Sequence, residues 1–471
     1  MLGYCDELVA QIEYPDVDRP SFSERIQSAP PRQLSDGVPE TYWVLTLDEV
    51  VKFGLKNSDV LREIGGRVLD FPSAMTSVYD PSITMSHPRL GEEAALSAFD
   101  AQFAQQFTAA ESSNVFNNST LGGGATEINQ DLFRIQTELR KVSATGAQYT
   151  IRNLVEHDHS NAPFNLLSHA WNGSFEASVR QPLLQGAGVM FNRIAGPSGS
   201  VDLSLTRGVI LARIDGDISI AEFEKGVRDY VRQLENAYWR LYSSYRSLDA
   251  NRRARDLARS TWQTVKARSD ANMQGGEADV EAQAREQLYL FEQLVVDALT
   301  GQNGGVYQAE RQLRQLLGLP VNDGRLIRPA DEPTDAPVRF DWNDCMADAM
   351  SRRVELRQQL WRIKQRELEL LAARNFLLPR LDAVATYRIA GFGDDLIGGD
   401  GAFTNLFREM SPFDNDELEV GLQLNVPIGY RQQFAGVRHS ELNLCRERAL
   451  LKEQEHAITH GLAGAIAGIE S

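Results

Sequence analysis

The stretch of sequence that decides the fold is Leu418-Glu419-Val420-Gly421-Leu422-Gln423-Leu424-Asn425-Val426-Pro427, in which apolar and polar residues alternate without a break. Successive side chains of a β-strand point to opposite faces, so the alternation predicts a strand with one apolar face. That face carries Leu418, Val420, Leu422, Leu424 and Val426. Two settings explain it: a β-barrel with lipid outside and a wet lumen, or the half-buried sheet of a soluble protein.

Similar patterns recur at other places in the chain. Strands are predicted at 99–107, 175–182 and 381–389, and residues 135–154 predict a β-hairpin that turns near Thr145-Gly146. Two of these strands stop at a proline, Pro182 and Pro427, which has no backbone N–H to continue a ladder. Polar residues at 113–130 and 391–416 predict loops.

The middle of the chain predicts long helices instead of strands. From about residue 218 the apolar residues follow a heptad seam, which is typical of coiled-coil packing. The seam consists of Val227, Val231, Leu234, Tyr238, Leu241, Tyr245 and Leu248. A helix from about 218 to 270 would be about 75 Å long at 1.5 Å per residue. Gly275-Gly276 predicts a turn into a second antiparallel helix, which is interrupted at 301–305 and ends at Gly318-Leu319-Pro320.

An internal repeat organises these segments. Residues 46–63 align with 341–358, and after each copy come a helix, a strand, a loop, a strand ending in proline and a long helix. We therefore predict four segments: an extended polar leader at 1–44, a first repeat at 45–320, a connector at 321–340 and a second repeat at 341–471. The predicted fold is α+β, with internal duplication.

Composition excludes several classes of function. The 471 residues carry a formal net charge of −17, which disfavours nucleic acid as a partner because phosphate binding needs clustered Lys and Arg. Cys5, Cys345 and Cys445 lack the spacing of a zinc site or a disulfide framework. Nucleophile elbows, phosphate loops and His-Glu-x-x-His are missing, so we predict no enzyme activity, no cofactor and no metal.

The sequence also limits how this chain could cross a membrane. No run approaches the ~18 apolar residues of a transmembrane helix, so a crossing requires a closed β-barrel. Residues 1–30 lack the apolar region of a secretory signal. Leu2-Gly3-Tyr4-Cys5 departs from a lipoprotein cleavage box at Tyr4, which leaves lipidation of Cys5 open. Two strands per repeat are too few to close a barrel, whereas three chains would supply twelve.

At this point several short motifs, in order, resemble the TolC-like outer-membrane efflux family. They are Leu45-Thr46-Leu47-Asp48-Glu49-Val50, Gln181-Pro182-Leu183-Leu184-Gln185-Gly186, the run from Gly275 to Gln283, Leu316-Leu317-Gly318-Leu319-Pro320, Leu377-Leu378-Pro379-Arg380-Leu381 and Asn425-Val426-Pro427. The resemblance covers about 45–471. It implies a homotrimer with an outer-membrane β-barrel in lipid and a coiled-coil α-helical barrel in the periplasm.

The resemblance further implies a passive channel that works with a periplasmic adaptor (membrane fusion) protein and an inner-membrane pump. The adaptor contact would be the helical-hairpin tip, Met273, Gln274, Gly275, Gly276 and Glu277. Insertions at 71–95 and 113–165 depart from the family pattern, and the hairpin at 135–154 would add strands. The second repeat stops about forty residues into its long helix, so we expect its returning helix to be missing.

The alternative function is a soluble periplasmic coiled-coil structural or adaptor protein. It would explain the heptad seam and the acidic charge. It would not explain why strands that end in proline recur in each repeat.

Overall fold

The computed structural model describes residues 29–34, 41–64, 70–118, 120, 123–163, 165–197, 207–301, 304–334, 336, 339–398, 405–411 and 415–470. The strands of this part are β1 (Tyr42–Leu45), β2 (Gln102–Val115), β3 (Glu127–Val142), β4 (Gln148–Ser160), β5 (His169–Pro182), β6 (Leu326–Pro329), β7 (Arg380–Gly393) and β8 (Asp416–Asn425). Its α-helices are α1 (Leu47–Lys56), α2 (Asp80–Met85), α3 (Glu92–Ser97), α4 (Val189–Ala195), α5 (Val209–Asp270), α6 (Ala278–Thr300), α7 (Val306–Leu317), α8 (Trp342–Arg352), α9 (Val354–Asn375), α10 (Leu406–Met410) and α11 (Arg431–Glu470).

The described residues divide into two compact units. The helical unit takes its residues from Met1–Tyr79 and Phe223–Arg339, and the sheet unit takes its residues from Asp80–Glu222 and Phe340–Ser471. The sheet unit therefore combines segments of both predicted repeats, whereas the helical unit combines segments of the leader, the first repeat and the connector. The boundaries of the repeats stay a prediction.

The core of the helical unit forms around the predicted heptad seam. Leu234, Tyr238 and Leu241 of α5 are fully buried, and they share one apolar cluster with Leu313 and Leu317 of α7. Each such leucine stabilises the fold by about 1.5–3 kcal/mol through removal of its side chain from water. The seam is thus the buried side of α5.

Short strands and a helix cap complete this unit. Thr46 accepts a hydrogen bond from the backbone N–H of Glu49, whose carboxylate accepts one from the backbone N–H of Thr46, so α1 begins with a capping box. β1 pairs in parallel with β6, Tyr42 opposite Leu326. β1 begins inside the predicted leader (1–44), and β6 lies inside the predicted connector (321–340). Residues 1–28 and 35–40 of that leader, Cys5 included, lie outside the described residues.

The helices of the predicted hairpin, α5 and α6, belong to this unit except for residues 209–222 of α5, which belong to the sheet unit. α5 begins at Val209 instead of 218, and its 62 residues span about 93 Å. α6 returns beside it, with Asn251 donating to the carbonyl of Leu294 at 3.2 Å and Trp262 donating to Glu281 at 2.8 Å. The predicted break at 301–305 is confirmed, and so is the end of α7 at Gly318, which has a φ of 68°.

The sheet unit contains one antiparallel sheet of six strands, in the order β2-β3-β4-β5-β7-β8. The predicted hairpin is confirmed as β3 and β4, which turn at Gly146 with a φ of 90°. Four strands of this sheet, β2 to β5, run up to Pro182 and two, β7 and β8, follow Pro379, so the hairpin adds two strands to the two that the repeat pattern predicts in the first half of the chain. The described sheet of one chain is open, with β2 and β8 as its edges.

Helices α9 and α11 accompany the sheet in the same unit. Ile363 and Leu370 of α9 pack against Leu444 of α11, and Gln359 donates to the carbonyl of Glu447 at 2.9 Å. The start of α11 at Arg431 agrees with the predicted last helix. Among the described helices, none has both the length and the hydropathy needed to cross a bilayer.

Candidate functional site: the two faces of the sheet

The first candidate surface is the apolar face of the sheet. Because the register is known for every pair, residues that lie side by side across all six strands can be read directly. One such row holds only apolar and aromatic residues: Phe103, Leu139, Ile151, Ala177, Tyr387 and Leu418. Alternate residues along each strand share this face. An exposed apolar surface of this extent is unusual on a water-soluble protein.

The five residues predicted to face lipid lie on this apolar face or next to it. Leu418, Val420, Leu422 and Leu424 belong to β8, and Val426 follows the last residue of the strand. All five are exposed in the chain, Leu418 by 68% and Val420 by 73%. Their contact with lipid stays a prediction.

One end of the apolar face is covered by the chain itself. Gly173 of β5 lies opposite Gly391 of β7, and Leu406 of α10 packs onto both. A Cβ on Gly173 would stand 2.8 Å from Leu406 Cδ2, so only glycine leaves room for this contact. The sequence predicts a loop for Gly391 and Leu406 and no element for Gly173, so this contact was not predicted.

The opposite face of the sheet is polar and carries a row of alternating charges. The row, which we call the charge ladder, consists of Glu138, Arg152, Glu176, Arg388 and Glu417 on five successive strands. Arg152 lies 3.2 Å from Glu138 and 3.9 Å from Glu176, and Arg388 lies 2.7 Å from Glu176 and 3.3 Å from Glu417. Their side chains stay partly exposed. The polar face is therefore compatible with water.

Other ion pairs extend the polar face towards both ends of the strands. Arg134 contacts Glu156 at 2.7 Å, while Arg180 and Arg380 both approach Asp382, at 3.6 Å and 3.0 Å. These pairs were not predictable from the sequence, because they depend on the register between strands. The available signal was that the charged residues of these strands, Arg152, Glu156 and Asp158 of β4 and Arg380, Asp382 and Arg388 of β7, are all an even number of positions apart and so share one face.

The second candidate surface is the tip of the helical hairpin. The predicted adaptor-contact residues, Met273, Gln274, Gly275, Gly276 and Glu277, fill the turn between α5 and α6. Gly275 has a φ of 84°, and a Cβ on Gly276 would stand 2.3 Å from the backbone N of Ser269. Met273 is exposed at the end of the turn. The turn is tight, and it presents one apolar side chain to solvent.

Chemistry of other kinds has little support in the described residues. Within the ranges given above, no group of three or more His, Cys, Asp and Glu side chains is placed to hold a metal ion. Glu156-His157-Asp158-His159 lies on β4, where neighbouring side chains point to opposite faces. Cys345 and Cys445 are free thiols.

Comparison with known proteins gave matches among solved structures alone. No family model matches the chain, and no curated protein matches it. The outer membrane protein VceC of Vibrio cholerae is 13% identical with a TM-score of 0.53, over 90% of this chain and 79% of VceC. A membrane protein from Pseudomonas aeruginosa is 12% identical with a TM-score of 0.52, over 94% and 83%. The outer-membrane channel OprN is 13% identical with a TM-score of 0.50, over 95% and 82%.

Proposed function

Because this chain has the TolC-like fold of outer-membrane channels, we propose that it is one protomer of a homotrimeric outer-membrane efflux channel. The channel is a passive exit duct for small molecules or proteins, in a tripartite efflux or type I export system. The observation that carries the proposal is the sheet with one apolar face and one charged face.

The two faces of the sheet fit two different solvents. Lipid tails suit the apolar face, since Leu418 and its neighbours would gain burial there without a protein partner. Water suits the polar face, since an ion pair removed from water loses about as much hydration as it gains in attraction. The partly exposed charge ladder is consistent with a wet lumen.

A single chain needs further copies to complete such a barrel. Six antiparallel strands leave two open edges, and lipid does not tolerate unpaired backbone groups at an edge. This supports oligomerisation, and the resemblance to the family supports three copies. In the same scheme the internal duplication supplies two sheet segments and two long-helix segments per chain.

The helices would lie in the periplasm and contact the partners. The hairpin tip, Met273–Glu277, would contact a periplasmic adaptor, and the adaptor would connect the channel to an inner-membrane pump. Exposed Met273 suits such a contact, because methionine adapts to different apolar surfaces. The proposed location is the outer membrane, and the role requires no enzyme activity and no nucleic acid.

The proposal is tested by fractionation and by mass. We expect the protein in the outer-membrane fraction, and we expect extraction only with detergent. Its mass in detergent should correspond to three chains of 52.5 kDa. An unboiled sample should migrate as this oligomer in a denaturing gel, and a boiled sample as one chain. A water-soluble monomer would refute the channel and favour the soluble coiled-coil alternative.

A further inference from the structure

We propose that the barrel of this protein has eighteen strands, six from each of three copies, with β2 of one copy paired to β8 of the next. This rests on the proposed homotrimer. The copies would join at the edges of their sheets, and the number of strands would set the width of the barrel.

Both edges of the sheet are open, and neither contains a proline, a lysine or a bulge. In the described residues β2 pairs only with β3, and β8 pairs only with β7. Soluble proteins blunt such edges with proline, lysine or bulges. β2 contains no proline, lysine or glycine over its 14 residues, and it pairs with β3 without a bulge. β8 contains no proline or lysine over its 10 residues. Each edge is therefore suited to accept another strand.

The directions of the two edge strands are compatible. All neighbouring pairs in the sheet are antiparallel, so the first and sixth strands run in opposite directions. When copies are placed side by side with the same orientation, β8 of one runs antiparallel to β2 of the next. An odd number of strands would instead produce a parallel pair at every junction. The order of six thus closes into a uniformly antiparallel ring.

The faces of the two edges also agree. Phe103 of β2 and Leu418 of β8 belong to the same row of the apolar face, and their exposures are 66% and 68%. Ile151, which has a strand on both sides, is exposed by 43%. Pairing β2 with β8 of the next copy would continue the apolar face around the ring. It would also cover Phe103 and Leu418 to about the same extent as the neighbouring strands cover Ile151.

The first hairpin is an integral part of this sheet. β3 pairs with β4 from Gln130 opposite Ser160 to Val142 opposite Gln148, without a break. A barrel of four strands per copy would need β4 as its edge, and this ladder would have to be broken. Barrel diameter grows with strand number, and barrels of 16–18 strands leave room for an aqueous channel.

The junction is tested by disulfide formation in the whole protein, in outer membranes. In a chain with Cys5, Cys345 and Cys445 replaced by serine, one cysteine replaces Gln102, Ala104, Gln106 or Thr108 on the polar face of β2. A second replaces Glu419, Gly421 or Gln423 on the polar face of β8. The scan covers several registers, because a disulfide needs Cβ atoms about 3.5–4.5 Å apart. We expect oxidation to shift the band of the denatured protein on a gel from the mass of one chain to the masses of two and three chains.

Two controls define the result. The pair Gln106→Cys and Gln136→Cys lies in register within one chain, so it should oxidise without a change of mass. Phe103→Cys combined with the same β8 positions points to the opposite face, so it should not link copies.

Each other outcome contradicts the inference. An intact oligomer that links β8 to Thr150→Cys on β4, and not to β2, would mean four strands per copy and would leave the channel function standing. An intact oligomer without β2–β8 links would also exclude the eighteen-stranded ring. Absence of the protein from the outer membrane before oxidation would refute the proposed function itself.

Discussion

Arg314 is a fully buried charge in the helical unit. Its side chain is 1% exposed, and it donates to Glu310 at 2.7 Å, to Asp323 at 2.7 Å and to the carbonyl of Arg325 at 2.7 Å. Burial opposes the charge, but the two carboxylates outweigh burial and raise the pKa of Arg314. The network ties α7 to the residues that precede β6.

Arg314→Met is expected to destabilise the chain by about 3–5 kcal/mol, because it leaves Glu310 buried without its cation. Arg311→Met, on the exposed side of the same helix, is the control and should change stability by less than about 0.5 kcal/mol. Denaturant unfolding followed by circular dichroism measures both. Equal losses would show that the network does not hold the helix in place.

The carboxyl of Asp323 determines how the stability of this network responds to acid. Burial raises the pKa of the Asp323 carboxyl, but the hydrogen bonds from Arg314 and Arg325 lower this pKa by more. The pKa therefore lies below the ordinary value of 3.8. An acid with a depressed folded-state pKa stabilises the fold above its unfolded pKa. This stabilisation is lost as the pH falls through the folded-state value. Asp323→Asn should therefore destabilise the protein at pH 7, and the difference should shrink below about pH 3.8. A difference independent of pH between 7 and 2.5 would contradict this.

At the scale of elements, the turn at the hairpin tip depends on glycine. A Cβ on Gly276 would meet the backbone of Ser269 at 2.3 Å, so Gly276→Ala must displace the turn between α5 and α6. We expect faster amide hydrogen exchange at residues 268–280 and weaker adaptor binding. Gly461→Ala in α11 is the control, since its Cβ meets nothing within 4 Å. That change should stabilise the helix by about 0.5–1 kcal/mol. Unchanged exchange at the tip in Gly276→Ala would contradict the expectation.

Neighbouring residues of β8 lie on opposite faces of the sheet, so substitutions at Leu422 and Gly421 test the two faces separately. Leu422→Arg places a charge on the proposed lipid side, which costs about 2–4 kcal/mol near the middle of a bilayer. Gly421→Arg places the same charge on the polar side, where a Cβ meets nothing within 4 Å. We expect the first change to reduce the heat-sensitive oligomer in the outer membrane, and the second to preserve it. Equal amounts of both variants would contradict the proposed orientation of the sheet.

Element boundaries were predictable where apolar residues repeat regularly. β8 and the seam of α5 agree with the sequence analysis because one side of each is apolar throughout. β2 extends to Val115, eight residues beyond its predicted end, because backbone pairing with β3 continues where apolar alternation stops. α5 begins nine residues earlier than predicted, because Arg213, Asp215 and Asp217 interrupt the apolar pattern of its first turns.

At the scale of the whole molecule, the connections of the sheet separate into two ends. The connections from β2 to β3, from β4 to β5 and from β7 to β8 leave the sheet at one end, and the short turn 143–147 leaves it at the other, because successive strands are antiparallel. In the proposed channel the end with these three connections faces the cell exterior.

A membrane-impermeant maleimide should therefore label Leu166→Cys in intact cells and should not label Thr145→Cys, both in the chain without its native cysteines. Leu166 is well exposed in its loop. Permeabilisation of the outer membrane should make Thr145→Cys reactive as well. Labelling of Thr145→Cys in intact cells, with Leu166→Cys unreactive, would mean the reverse orientation.

The order of the motifs was enough to predict a TolC-like fold of the chain, because each motif lies where a strand or a helix begins or ends. The number of strands was not predictable in the same way. The hairpin 135–154 was visible as a local pattern, whereas its place between β2 and β5 depends on backbone pairing between residues as far apart in sequence as Gln102 and Arg140. The charge ladder was hidden for the same reason.

The charge ladder also bears on how the strands find their correct alignment. A slip of one residue turns apolar side chains to the wrong face and is penalised at once. A slip of two residues keeps every side chain on its proper face, so burial cannot detect it. Between β5 and β7 such a slip would place Arg388 opposite Ser174 or Ser178, and its contact with Glu176 would be lost. The charge ladder therefore favours the observed register over a slip of two residues, an error that the alternation of apolar and polar residues does not penalise.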